Sequence, residues 1–150
     1  MFSNLSAKEG VFSVLGNHDY GDYVRWNSEE EKLKNLNKLK KIQSEMGWNL
    51  LLNENFYIKR KNQKIAIVGV ENWGENGFKQ AGDLDAACKN INDSDFKVLL
   101  SHDPSHWEYE VKNHDKNFHL TLSGHTHGMQ FGIEIPGYFK WSLAQYVYKQ

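Results

Sequence analysis

Apolar residues in this chain come in short runs, and three of those runs stop at a small polar cluster. Val11 to Leu15 predicts a strand ending in the turn-prone Gly16-Asn17-His18-Asp19. Phe96 to Leu100 predicts a buried strand that delivers Ser101-His102-Asp103-Pro104. Phe118 to Leu122 predicts another, delivering Gly124-His125-Thr126-His127-Gly128. Leu50 to Leu52 and Phe56 to Arg60 also read as strands, and Lys61-Asn62-Gln63 offers a turn into Lys64 to Val70. Phe56 to Ile58 and Ile65 to Val70 therefore pair as a hairpin. The polar loop after it, Glu71 to Gly77, reads either as the border of a substrate groove or as an ordinary surface loop.

Helical spacing appears between these strands. Ser28 and Glu31 form a Ser-x-x-Glu capping box, Leu33, Leu36, Leu39, Ile42 and Met46 recur at three and four residues, and Gly47 closes the pattern. This predicts an amphipathic surface helix. Its lysines (Lys32, Lys34, Lys38, Lys40, Lys41) read as a solvated face partly balanced by Glu29 to Glu31 and Glu45, with nucleic-acid contact as the alternative. Asp83 to Ile91 is a short helix, and Pro104 suits the first turn of another reaching about Val111. Strands alternating with helices indicate an α/β layered fold with a largely buried sheet.

The totals narrow the class. A length of 150 residues suffices for one sizeable core, and 39% hydrophobic with 25% charged residues fits a folded globular chain. With 18 basic and 19 acidic side chains there is no net field to attract a nucleic acid or an acidic membrane, so any phosphate recognition is local. Cys88 is the only cysteine, which excludes an internal disulfide and a multi-cysteine zinc module and suits a buried small residue. The longest clean apolar run, Ile65 to Val70, is far short of the roughly 20 residues of a spanning helix. Nothing at Met1 to Gly10 reads as a signal peptide, and the compartment stays open.

Residues just past strand ends converge on one sheet edge although distant in sequence. Asn17, His102, His125 and His127 supply the amide oxygen and imidazoles that zinc, iron or manganese accept. On a loop, a His-x-His pair can point its two rings at different ions, and Gly124 and Gly128 free the backbone for so tight a turn. His18 lies between Asn17 and Asp19; an imidazole held by a carboxylate stays protonated more readily and can donate to a phosphoryl oxygen or leaving group. The other reading of Gly16 to Asp19 is a hairpin-type turn. His106, His114 and His119 lie off these blocks and read as surface or helix histidines, while Asp103 either orients His102 or caps the following helix.

In these blocks the chain resembles the calcineurin-like metallophosphoesterases. Gly16-Asn17-His18-Asp19 matches the family's Gly-Asn-His-Asp/Glu block, His102 its lone metal-binding histidine after an apolar strand, and Gly124-His125-Thr126-His127 its terminal Gly-His-x-His block. Gly128-Met129-Gln130-Phe131-Gly132 is similar to a branch with Gly-His-Thr-His-Gly-Gly-Gln, Met129 standing for the second glycine. That branch resembles membrane-associated phosphodiesterases, some acting on lipid-linked substrates.

The resemblance implies a layered, sandwich-like metallophosphatase fold with mixed sheets flanked by helices. It also implies hydrolysis of a phosphomonoester or phosphodiester by a hydroxide held between two divalent ions, manganese, zinc or iron. Asn17, His102 and His125 would bind one ion and His127 the other, and His18, oriented by Asp19, would stabilise or protonate the reacting phosphate.

Two family blocks, Asp-x-His and Gly-Asp-x-x-Asp, precede Gly-Asn-His-Asp and are not found here; no Asp occurs before Gly16. The expectation is a middle-to-late part of a metallophosphoesterase domain over 1–150, with at most one well-formed metal site and little or no activity alone. Trp141 to Gln150 resembles the stretch before the family's closing strand. Unpaired sheet edges invite self-association. The alternative is a non-catalytic single-metal or interaction module. A phosphate-ester substrate, no specific nucleic acid and an open possibility of membrane association complete the reading.

Overall fold

A computed structural model describes residues 4–74, 77–127 and 132–142. It holds eight strands and three α-helices among the described residues: β1 (Val11–Ser13), α1 (Glu29–Glu45), β2 (Trp48–Leu50), β3 (Glu54–Arg60), β4 (Gln63–Gly69), α2 (Leu84–Ala87), β5 (Phe96–Leu100), α3 (Ser105–Tyr109), β6 (Leu120–Leu122), β7 (Gly132–Ile135) and β8 (Phe139–Ser142). The central sheet runs β3-β4-β5-β6. β3 and β4 are the expected antiparallel hairpin, whereas β4, β5 and β6 are parallel, so the last three end at one edge. This is the mixed α/β architecture expected from the strand and helix alternation.

β1 and β2 form a separate parallel pair. Phe12 packs on Phe56 with ring centroids 5.2 Å apart, which lays this pair against the central sheet. Gly69 permits the approach, because a Cβ there would lie 2.3 Å from the Cβ of Leu51. On the opposite face Ala66, Val68, Val70 and Leu99 pack with Leu84, Ala87, Cys88 and Ile91 of the α2 region and with Val111. The layers bring the end of β1 beside the ends of β5 and β6.

The sheet is less enclosed than the apolar runs suggest. Phe56, Ile65, Phe96, Leu120 and Leu122 are all exposed, and strict alternation in β5 puts Lys97 and Leu99 inside while Phe96 stays out. A continuous apolar run therefore covered one buried face and one open face here. Cys88 is buried as expected, and burial raises its thiol pKa to about 11.

Helix α1 begins where the capping signal puts it, with the Ser28 hydroxyl accepting from Glu31 N–H. Glu31 reaches back to Asn27 rather than to Ser28. Its buried residue is polar: Gln43 accepts a 2.6 Å hydrogen bond from Ser13 Oγ, while Leu33 and Ile42 of the apolar stripe are exposed. Lys32 pairs with Asp22, and Lys41 with Glu45 at 3.6 Å, in keeping with a solvated lysine face.

Several boundaries moved. The predicted strand at Leu50 to Leu52 is centred earlier, on Trp48–Leu50, and the Asp83 to Ile91 helix keeps only Leu84–Ala87 behind the Asp83 cap. The β7–β8 hairpin was not predicted, although Ile133-Glu134-Ile135 alternates before Pro136-Gly137 and Gly137 takes φ 81° in the turn. Gly128 to Phe131 and the stretch after Ser142 lie outside the described residues. Among the described residues no helix is long and apolar enough to cross a membrane.

Candidate metal centre

The first polar cluster folds as one turn of 3-10 helix, Asn17–Tyr20, and not as a hairpin turn. Asp19 Oδ2 accepts the Gly16 N–H at 2.8 Å, and Gly21 closes the turn at φ 76°, where glycine is at ease. Asn17 is thereby buried to 3% exposure with its amide directed inward, and His18 is left exposed.

Three donors meet at the strand ends. Asn17 Oδ1 lies 2.9 Å from His102 Nε2 and 3.2 Å from His125 Nδ1, and the two imidazole nitrogens are 3.3 Å apart. Gly16 makes room, since a Cβ there would lie 2.7 Å from the His102 ring. Burial, then the neighbouring His125, lowers the His102 pKa and keeps its ring neutral, the form that ligates metals.

The loop after β6 departs from expectation in its backbone. His125 and His127 themselves take the left-handed conformation, at φ 68° and 56°, whereas Gly124 does not. A left-handed non-glycine residue costs roughly 1–3 kcal/mol, and Asn53, Lys61, Asn90 and Asn117 adopt the same conformation elsewhere in the chain. His127 is exposed and stands outside the three-way contact.

Asp103 caps α3: its Oδ1 accepts from Ser105 N at 3.0 Å and Ser105 Oγ at 2.6 Å. His106, read as a surface or helix histidine, does lie in α3 but is fully buried. It stacks on Trp73 at 4.6 Å, donates from Nε2 to Glu110 at 2.7 Å and accepts the Ser101 hydroxyl on Nδ1 at 2.9 Å. The residues on both sides of His102 are thus anchored. His114 meets Asp85 at 3.2 Å, and His119 stacks on Phe96 at 4.5 Å.

Two aromatic residues that the motifs did not flag border the centre. Tyr23 stacks on His18 with centroids 4.2 Å apart, and Phe78 meets the His125 ring edge-on at 5.3 Å. Each lies outside any recognisable block, so only proximity identifies them.

A family model for calcineurin-like phosphoesterases matches residues 1–129. The chain belongs to the calcineurin-like phosphoesterase family. An uncharacterized metallophosphoesterase of Bacillus subtilis, YkoQ, is 26% identical over 132 residues, which are 88% of this chain and 43% of that protein. An uncharacterized metallophosphoesterase of Aquifex aeolicus is 32% identical over 130 residues, 85% of this chain and 42% of that protein. The chain thus spans less than half the length of these relatives. No solved structure matches it.

Calcineurin-like phosphoesterases generally use divalent metals. Among the described residues no three His, Cys, Asp or Glu side chains form a metal cage, and the three-way contact consists of two imidazoles and an amide. That donor set fits one ion. Two ligands each about 2.0–2.1 Å from a shared ion lie about 2.9–3.4 Å apart, the range seen between these three atoms.

Proposed function

We propose that this chain carries the late half of the active site of a divalent-metal phosphoesterase domain, the role expected for 1–150 from its motifs. The observation that supports this best is the close contact of Asn17 Oδ1, His102 Nε2 and His125 Nδ1, gathered from three strand ends. When bound, divalent ions supply Lewis acidity and a hydroxide nucleophile. In this reading Asn17, His102 and His125 hold one ion, and His127 contributes to a second. His18 is exposed beside the ligand set, where its imidazole can donate a hydrogen bond or proton to a phosphate-ester oxygen. Asp19 acts through the turn that presents His18, because its carboxylate holds the Gly16 N–H.

The substrate class is a phosphomonoester or phosphodiester, a lipid-linked one included. Self-association through an exposed sheet edge and membrane association of the whole protein are part of the same proposal. A second reading, a single-metal module without turnover, draws on the position of His127 outside the three-way contact.

Metal analysis combined with hydrolysis of p-nitrophenyl phosphate and bis(p-nitrophenyl) phosphate by the whole protein separates these readings. Bound metal with turnover supports the enzyme, and bound metal without turnover supports the module. Failure of His102→Ala to reduce metal content would rule out the ligand set itself.

A further inference from the structure

Tyr23 is the residue that touches both the inferred ligand and the inferred acid. Its hydroxyl accepts a 2.6 Å hydrogen bond from Asn17 Nδ2, and its ring lies parallel to His18, 4.2 Å away at an interplanar angle of 11°. An asparagine amide is nearly symmetric in shape but not in charge: Oδ1 can ligate a cation, while Nδ2 presents hydrogens that repel it. Ligation through Oδ1 fixes Nδ2 on the other side, where it needs an acceptor because Asn17 is buried.

We infer that Tyr23 is a positioning residue that holds the Asn17 amide with Oδ1 toward the metal site and, through its ring, aligns His18 beside it. This rests on the metal-centre reading above. No other hydroxyl is needed for it, since the phenol is both acceptor and stacking plane. An outer contact to a metal ligand is worth about ten- to a hundred-fold in metal affinity or activity. The sequence gives no hint of this role, for Tyr23 is simply one aromatic in a glycine-bounded turn.

Two variants separate the functions. Tyr23→Phe keeps the ring and removes the hydroxyl, whereas Tyr23→Leu removes both. In titrations of the 150-residue chain with Zn2+ or Mn2+, both variants are expected to bind about ten- to a hundred-fold more weakly than the parent chain. Their urea midpoints should stay close to the parent's, because Tyr23 is 55% exposed.

Side-chain NMR gives a readout that needs no metal. The Asn17 Nδ2 proton signals should move in both variants, and the ring-current shift of the His18 protons should survive in Tyr23→Phe and vanish in Tyr23→Leu. Parent-like metal affinity in Tyr23→Phe, or an unmoved Asn17 amide signal, overturns the positioning role. A parent chain that binds neither metal overturns the metal-centre reading instead, and the amide signal then decides the Tyr23 contact by itself.

Discussion

Asn17 Oδ1 lies 2.9 Å from His102 Nε2, although the two residues are 85 positions apart in the chain. Asn17 follows β1 and His102 follows β5, strands of different sheets, so the contact depends on how closely the sheets pack. The missing side chains of Gly69, where Leu51 and Val14 press in, and of Gly16, which faces the His102 ring, let both the strands and the site close up.

Gly16→Ala tests that close approach. Gly16 has an extended backbone, φ −106° and ψ 176°, so alanine brings no conformational strain and only the 2.7 Å clash with the His102 ring. Overpacking of this kind destabilises by about 1–3 kcal/mol. Urea denaturation should show that loss, and metal titration should show weaker binding. Unchanged values in both would mean that the His102 ring does not sit against Gly16.

His18→Ala in the whole protein should reduce turnover by about two orders of magnitude or more with metal content nearly unchanged, as for a general acid. Full activity in that variant would remove His18 from the chemistry.

Acid should weaken the fold through His106. Complete burial lowers the pKa of its imidazole, outweighing the pull of Glu110, so the folded ring stays neutral. The unfolded chain takes up a proton near pH 6.5 that the folded chain refuses, so stability falls as pH drops below about 6.5, until the folded ring also protonates. His102, lowered by burial and by His125, adds a slope of the same sign. Urea midpoints at pH 7.5 and 5.5 check the sign, and a midpoint that rises on acidification contradicts it. His106→Ala, which leaves Ser101 and Glu110 without their shared partner, should also cost about 2–4 kcal/mol at pH 7.5.

Cys88 should react slowly in the folded chain. It is 4% exposed, and burial raises its thiol pKa to about 11, so little thiolate exists at pH 8 and little reagent reaches it. Alkylation by iodoacetamide at pH 8 should be slow until urea unfolds the chain. Rapid labelling under native conditions would show that the α2 region opens readily.

The exposed face of the central sheet should drive self-association of the 150-residue chain. Ile65, Phe96, Leu120 and Leu122 are exposed on one face of the sheet, and exposed apolar surface of this kind favours association. Light scattering should find dimers or larger species, and a well-behaved monomer at high concentration would refute this.

Local chemistry was legible in the amino-acid sequence wherever neighbours a few residues apart decide the outcome. Ser28 and Glu31 announced the start of α1, the two apolar runs on either side of the Lys61-Asn62-Gln63 turn announced the β3–β4 hairpin, and each polar block did follow a strand. Asn17, His102 and His125 were recognisable as candidates for the same reason, each standing at the end of an apolar run.

What depends on distant groups was decided only by the tertiary structure. Burial of His106 needs Trp73 above it and Glu110 and Ser101 at its two nitrogens, none of which the run Ser105-His106-Trp107 reveals. The exposure of Phe96 and the burial of Lys97 depend on which sheet face meets the α2 region, and the period of a strand is the same in either case. Tyr23 acquires its place because a turn folds it onto Asn17 and His18. The sequence by itself determined which atoms could ligate; the packing of two sheets, through the space left at Gly16 and Gly69, decided that three of them meet.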